Sequence, residues 1–112
     1  MQRTIKFRAW DKTLNKIHSW STIENHFTLE ELLDDNFFEA MQYTGLKDKN
    51  GVEIYEGDIL SYFGFEYEVT FEESAFGWSE DGQFYAFAEM AIDEIEKTKI
   101  IGNIYENPEL VK

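Results

Sequence analysis

Cysteine is absent from all 112 residues, which excludes disulfide scaffolds, thiol nucleophiles and every cysteine-bearing zinc or iron–sulfur site. A reducing compartment fits. Basic residues are scarce, 10 Lys and Arg against 23 Asp and Glu, for a formal charge of −13. Phosphate-backbone affinity comes from counterions released by basic side chains, so general nucleic-acid binding is not expected. Long apolar runs are lacking too: none approaches the ~18 residues of a membrane helix. The opening MQRTIKFRAW has no apolar core of a signal peptide. The expectation is a cytoplasmic protein without a membrane partner.

What the chain does have is rings. Its 43% hydrophobic content includes 10 Phe, 6 Tyr and 3 Trp, enough apolar area to offset chain entropy, and the length suits a single domain over 1–112. Charge is unevenly placed. Residues 1–20 carry Arg3, Lys6, Arg8, Lys12 and Lys16 against Asp11 alone, a balance of +4, while the remaining 92 residues hold 5 basic and 22 acidic side chains, or −17. Such a split bears on docking rather than on fold.

Ile5, Phe7 and Ala9 alternate with Lys6 and Arg8, the period of a half-buried strand. A polar segment at 11–15 then predicts an antiparallel hairpin with KIHSW, residues 16–20. Thr28 and Glu31 have capping-box spacing and Leu29, Leu32 and Leu33 recur at helical intervals, which predicts a short helix over 29–35. Asn50-Gly51 marks a tight turn and Glu56-Gly57-Asp58 a second one. Strands are predicted at 59–63, 65–71, 83–87 and 100–105, separated by Gly64 and by Asp81-Gly82. In FEYEVTF, Phe65, Tyr67, Val69 and Phe71 should be buried opposite a wet face of Glu66, Glu68 and Thr70. Residues 89–96 predict another short helix, and Pro108 begins a helical turn. The whole predicts a mainly β fold: 1–40 as hairpin plus helix, 41–112 as a small barrel.

Candidate chemistry is thin. DKNG at 48–51 begins like a calcium loop, but Val52, Ile59 and Glu53 stand where oxygen ligands and a glycine are needed, so it reads as a turn. GWSEDG at 77–82 departs from G-x-S-x-G by one residue and reads as a loop. His18 and His26, eight residues apart across a strand end, do not make a two-histidine metal site and read as ordinary surface or interface residues. The pairs Glu30-Glu31, Asp34-Asp35, Glu72-Glu73 and Asp93-Glu94 read as solvated faces in so acidic a chain. Trp10, Trp20, Tyr43, Tyr55, Tyr62, Phe63, Trp78, Tyr85 and Tyr105 belong to a core or a subunit interface rather than to a base-stacking platform. Neither a metal nor another cofactor is expected.

Three segments, IKFRAWD at 5–11, MQYTGLKDKNGVEIYEGDIL at 41–60 and IIGNIYENPELV at 100–111, resemble the YopX-like family of small phage and prophage proteins. The resemblance implies a phage or prophage origin, an SH3-type β-barrel and no established biochemical activity. Residue chemistry gives these segments structural duties: Gly45, Gly51, Gly57 and Gly102 serve turns or close approach, and Tyr43, Tyr55 and Tyr105 bury a ring with a hydroxyl to anchor. Asp58 can accept from backbone N–H groups of its turn. The expected function is a non-enzymatic accessory protein that binds a host or phage protein and self-associates. Its interaction surface is read as Lys6, Arg8, Trp10, Trp20, Tyr43, Tyr55 and Asp58. The alternative is an acidic decoy that occupies a host enzyme's nucleic-acid site.

Overall fold

A computed structural model describes residues 5–80 and 82–110. The expected strand start at Thr4, the basic Arg3, the turn residue Asp81 and the C-terminal Val111 lie outside the described residues. Strand makes up 47% of the chain and helix 20%, so the fold is mainly β, as expected. Two compact units divide it, Met1–Tyr43 and Thr44–Lys112.

In the N-terminal unit, β1 (Phe7–Asp11) is flanked by β2 (Lys16–His18) on one side and β3 (Phe38–Lys47) on the other, all antiparallel. The predicted hairpin is therefore present, and its loop is organised by Asp11: one carboxylate oxygen accepts from the N–H groups of Thr13 and Leu14, each at 2.9 Å. Trp20 departs from expectation. Ser19 accepts from the Thr22 N–H and opens a helix, α1 (Trp20–His26), which places Trp20 in its first turn rather than at a strand end. Helix α2 (Leu29–Leu32) begins on a complete capping box: Thr28 Oγ1 accepts from the Glu31 N–H and Glu31 Oε1 from the Thr28 N–H. Ala9, Ile23 and Leu32 form the core, with Phe7, Trp20, Phe27, Phe38 and Ala40 around it.

The C-terminal unit begins in the second half of β3, beside β4 (Glu53–Tyr55). Its curled half-barrel sheet has the order β8-β7-β6-β5-β9, from β5 (Asp58–Tyr62), β6 (Phe65–Glu72), β7 (Ala75–Glu80), β8 (Gln83–Ala86) and β9 (Lys99–Asn103). A bulge lies at Ile59/Leu60, where β9 passes from Gly102 to Ile100, and such an extra residue increases local bend and twist. Ile54, Leu60, Tyr67, Val69, Trp78, Phe87 and Ile95 form the core, with Tyr67 and Trp78 stacked at 4.2 Å. The predicted 89–96 helix is a 3-10 turn at Phe87–Glu89 followed by α3 (Ile92–Ile95), and Pro108–Leu110 is a second 3-10 turn.

Two expectations fail here. The GWSEDG segment is mostly strand: Gly77 sits opposite Ala86 in extended backbone, and a Cβ there would run into the Tyr85 carbonyl oxygen and lie 2.7 Å from the Phe84 ring. The glycine lets the neighbouring strand's backbone and the Phe84 ring approach closely, rather than serving a loop. Phe65 and Phe71 share the inward face with Tyr67 and Val69 but overhang the core at either end of β6, and both are exposed. Alternation sets the side of the sheet a residue faces; the reach of the opposing layer sets whether it is covered.

Candidate functional site

On β1, side chains alternate between Phe7, Ala9 and Asp11, which face the helices, and Lys6, Arg8 and Trp10 on the other face. The register pairs Arg8 with Met41 and Trp10 with Glu39, and the Tyr43 N–H donates to the Lys6 carbonyl at 2.9 Å. Lys6, Arg8, Trp10 and Tyr43 thus share a sheet face, with Lys6 Nζ 4.9 Å from the centre of the Tyr43 ring, a cation–π distance. Trp20 is on the opposite face, its ring 6.0 Å from that of Phe7.

Tyr55 and Asp58 belong to the C-terminal unit. Gly57 turns the chain at φ 84°, and Asp58, only 1% exposed, accepts the Tyr55 N–H on Oδ2 at 2.8 Å. This is the turn-acceptor role its sequence position suggests. The Gly57 N–H donates to the Val69 carbonyl and the Gly57 carbonyl accepts from Ile104, so the turn is stitched to its neighbours on both sides. Tyr43, Tyr55 and Asp58 are buried, which withdraws them from direct contact with a rigid partner.

His18 corrects the surface reading of the histidines. It is buried, packs on Phe27 and Phe38 with ring centres at 5.2 and 6.2 Å, and its Nε2 is 2.8 Å from Asp11 Oδ2. The His18 hydrogen bond, followed by that from the Leu14 N–H, holds the Asp11 carboxyl below its ordinary range. An imidazole oriented by a carboxylate is half of a base-assisted nucleophile system. Among the described residues no hydroxyl is hydrogen-bonded to the ring, and no cluster of three or more His, Asp or Glu could hold a metal. The arrangement is that of a satisfied core histidine. The sequence signal for it was weak, since the pair forms across a hairpin whose register was unknown.

Asp48 was also missed as a residue of consequence. Its Oδ1 accepts from the N–H groups of Asn50 and Val52, each at 2.9 Å, and its Oδ2 from Ile100 at 3.0 Å. The first two bonds are the side-chain turn that Asp-x-Asn-Gly encodes; the third depended on topology. Beside it lies a cleft of ≈ 550 Å³ between the end of β3 and α3.

The most outward groups are rings. At the β5–β6 hairpin, Phe63 holds φ 49° and is 76% exposed, and Phe65 is 64% exposed. The Tyr62 and Phe63 rings meet at 4.5 Å. On the opposite side of β6, Glu66, Glu68 and Glu72 follow one another, and Glu72 Oε2 accepts from the hydroxyls of Thr70 and Ser79. Burial, and then the charge of Glu72, hold the Glu68 carboxyl above its ordinary range. No helix among the described residues is long and apolar enough to cross a membrane.

A family model described as YopX protein matches residues 6–112. Among solved structures the chain is similar to protein EF1440 from Enterococcus faecalis, with a TM-score of 0.72 and 27% identity over 99% of this chain and 100% of that one. No curated protein matches it.

Proposed function

The chain belongs to the YopX family, and from that premise we propose that it is a non-enzymatic accessory protein of a phage or prophage that acts in the bacterial cytoplasm by binding another protein and by self-association. Phe63 carries the reading. Phe63 and Gly64, at φ 49° and 82°, are the two central residues of the β5–β6 hairpin turn, and a bulky ring held there in left-handed backbone costs about 1 to 3 kcal/mol. Here the strain holds an apolar ring outward beside exposed Phe65, where desolvating it on a partner is favourable. The half-barrel, read as SH3-type, supplies a rigid platform for that tip.

The test is the state of the full chain, alone and with its lysate partners. Sedimentation should give a mass above the 13.3 kDa monomer at micromolar concentration, and Phe63→Ser with Phe65→Ser should return the monomer and abolish partner capture. A wild-type monomer that captures nothing the double variant loses would reject this function.

A second reading, the acidic decoy, is favoured by one feature of β6. Glu66 and Glu68 sit on the side turned away from the Tyr67–Val69 core, where alternate strand residues recur about every 6.7 Å, a regular row of negative charge. Duplex DNA that competes a captured host enzyme off the protein would favour the decoy; capture that survives both DNA and high salt would favour apolar docking.

A further inference from the structure

Past residue 20 the chain has five basic residues, and four of them, Lys47, Lys49, Lys97 and Lys99, are drawn to one place. The Lys49 N–H donates to the Thr98 carbonyl at 2.8 Å, which sets Lys49 beside the segment holding Lys97 and Lys99. The Asp48 carboxylate fixes the same junction through Ile100. Asp48 and Thr98 point inward and are buried, so the lysines on either side of each point outward and are exposed.

Lys47 and Lys49 line a cleft of ≈ 550 Å³ whose apolar part is Leu46, Ile92 and Ile95, and Lys97 and Lys99 flank Thr98 on the segment hydrogen-bonded to Lys49. Ile92 is 63% exposed. Glu96 is the rim's one outward carboxylate, and Lys97 is engaged with Glu94 at 3.5 Å. Among the described residues no carboxylate pairs with Lys47, Lys49 or Lys99. A stretch of chain with a balance of −17 thus keeps two lysines outside any ion pair at the rim of an apolar floor, with Lys99 on the adjoining segment.

We propose that this cleft docks an acidic segment of a partner protein that also carries apolar side chains. The apolar groups would lie on Leu46 and Ile92 above the buried Ile95, and the carboxylates would meet Lys47 and Lys49. Charge complementarity selects this occupant: the lysines reward carboxylates, while the lining has no aromatic ring on which a nucleobase could stack. An anionic membrane would meet the repulsion of the −13 chain as a whole. Burial of apolar surface supplies affinity and the lysines supply orientation and rate. The proposal rests on the protein-binding function and gives it a second surface, remote in sequence from Phe63.

The test uses the full chain and fluorescence anisotropy with a labelled peptide alternating Glu and Leu. An oligo-Glu peptide, a Lys-for-Glu twin and a single-stranded oligonucleotide serve as competing probes. The Glu/Leu peptide should bind saturably, more weakly as salt rises. Its Kd should increase about tenfold or more in Lys47→Glu with Lys49→Glu, and likewise in Ile92→Ser, with no change in Lys16→Glu. All four positions are surface positions at which the fold should persist. Absence of saturable binding, equal binding of oligo-Glu, tighter binding of the oligonucleotide at the same lysines, or full binding by the cleft variants would each overturn the proposal. Failure of the Phe63/Phe65 test with this binding intact would remove self-association and leave the cleft; the reverse pattern would remove the cleft alone.

Discussion

Three aspartates show how far one residue type can be sorted by its hydrogen bonds. Asp58 accepts from the buried Tyr55 N–H, and Asp48 accepts from the Asn50, Val52 and Ile100 N–H groups, the first two in an exposed turn; a buried donor left without an acceptor costs about 1 to 3 kcal/mol. Asp58→Ala and Asp48→Ala should each therefore lower stability by about 1 kcal/mol or more, read from urea midpoints. An unchanged midpoint in Asp48→Ala would show that the 48–52 turn is dispensable. Asp11 adds a pH signature. Its folded carboxyl titrates below the ordinary 3.8, so the stability it contributes is complete above about pH 4 and is lost as the pH falls through the lower folded value. Asp11→Asn should remove that acid-side slope from a plot of melting temperature against pH; an unchanged slope would show that His18 does not hold the ionised form.

Elements differ in how much of themselves they disclose in sequence. FEYEVTF disclosed its face through strict alternation, and Val69, fully covered, should lose about 1 to 3 kcal/mol as Val69→Ala. The same pattern could not disclose that Phe65 and Phe71 overhang, because coverage is decided by residues far along the chain. Helix α2 was legible because its capping box is local. Helix α1 shares only Trp20 with the strand predicted over 16–20 and was otherwise illegible, its cap being a single serine without an acidic first turn. The lysine cluster was illegible for a plainer reason: Lys47 and Lys49 meet Lys97 and Lys99 only after β9 is placed. The β6–β7 hairpin offers a test of turn chemistry. Glu73 and Ser74 hold φ of 51° and 67°, conformations that Asn and Gly adopt without penalty. Glu73→Asn with Ser74→Gly should raise stability by about 1 kcal/mol in thermal unfolding. A loss would mean that this tip draws compensation from contacts of the native side chains.

At the scale of the whole molecule, 23 acids against 10 bases make self-repulsion a standing term in its stability. Glu68 combines burial, the larger cause, with the charge of neighbouring Glu72, and its folded carboxyl titrates above the ordinary 4.5. A carboxyl raised on folding penalises the native state at neutral pH, and the penalty fades as the pH falls through its folded value. Glu68→Gln should melt higher than the parent at pH 7, with the difference closing below about pH 4.5; a lower melting point at pH 7 would mean the charge is stabilised instead. The Asp48 carboxylate carries a further consequence, in time rather than energy. One side chain accepts amides from both ends of a 52-residue separation, so the Asn50, Val52 and Ile100 amides lose their acceptor together when that carboxylate is released. Under native conditions their deuterium uptake should follow a shared opening, although two of these amides sit in an exposed turn that would exchange at once if it were held by local bonds alone.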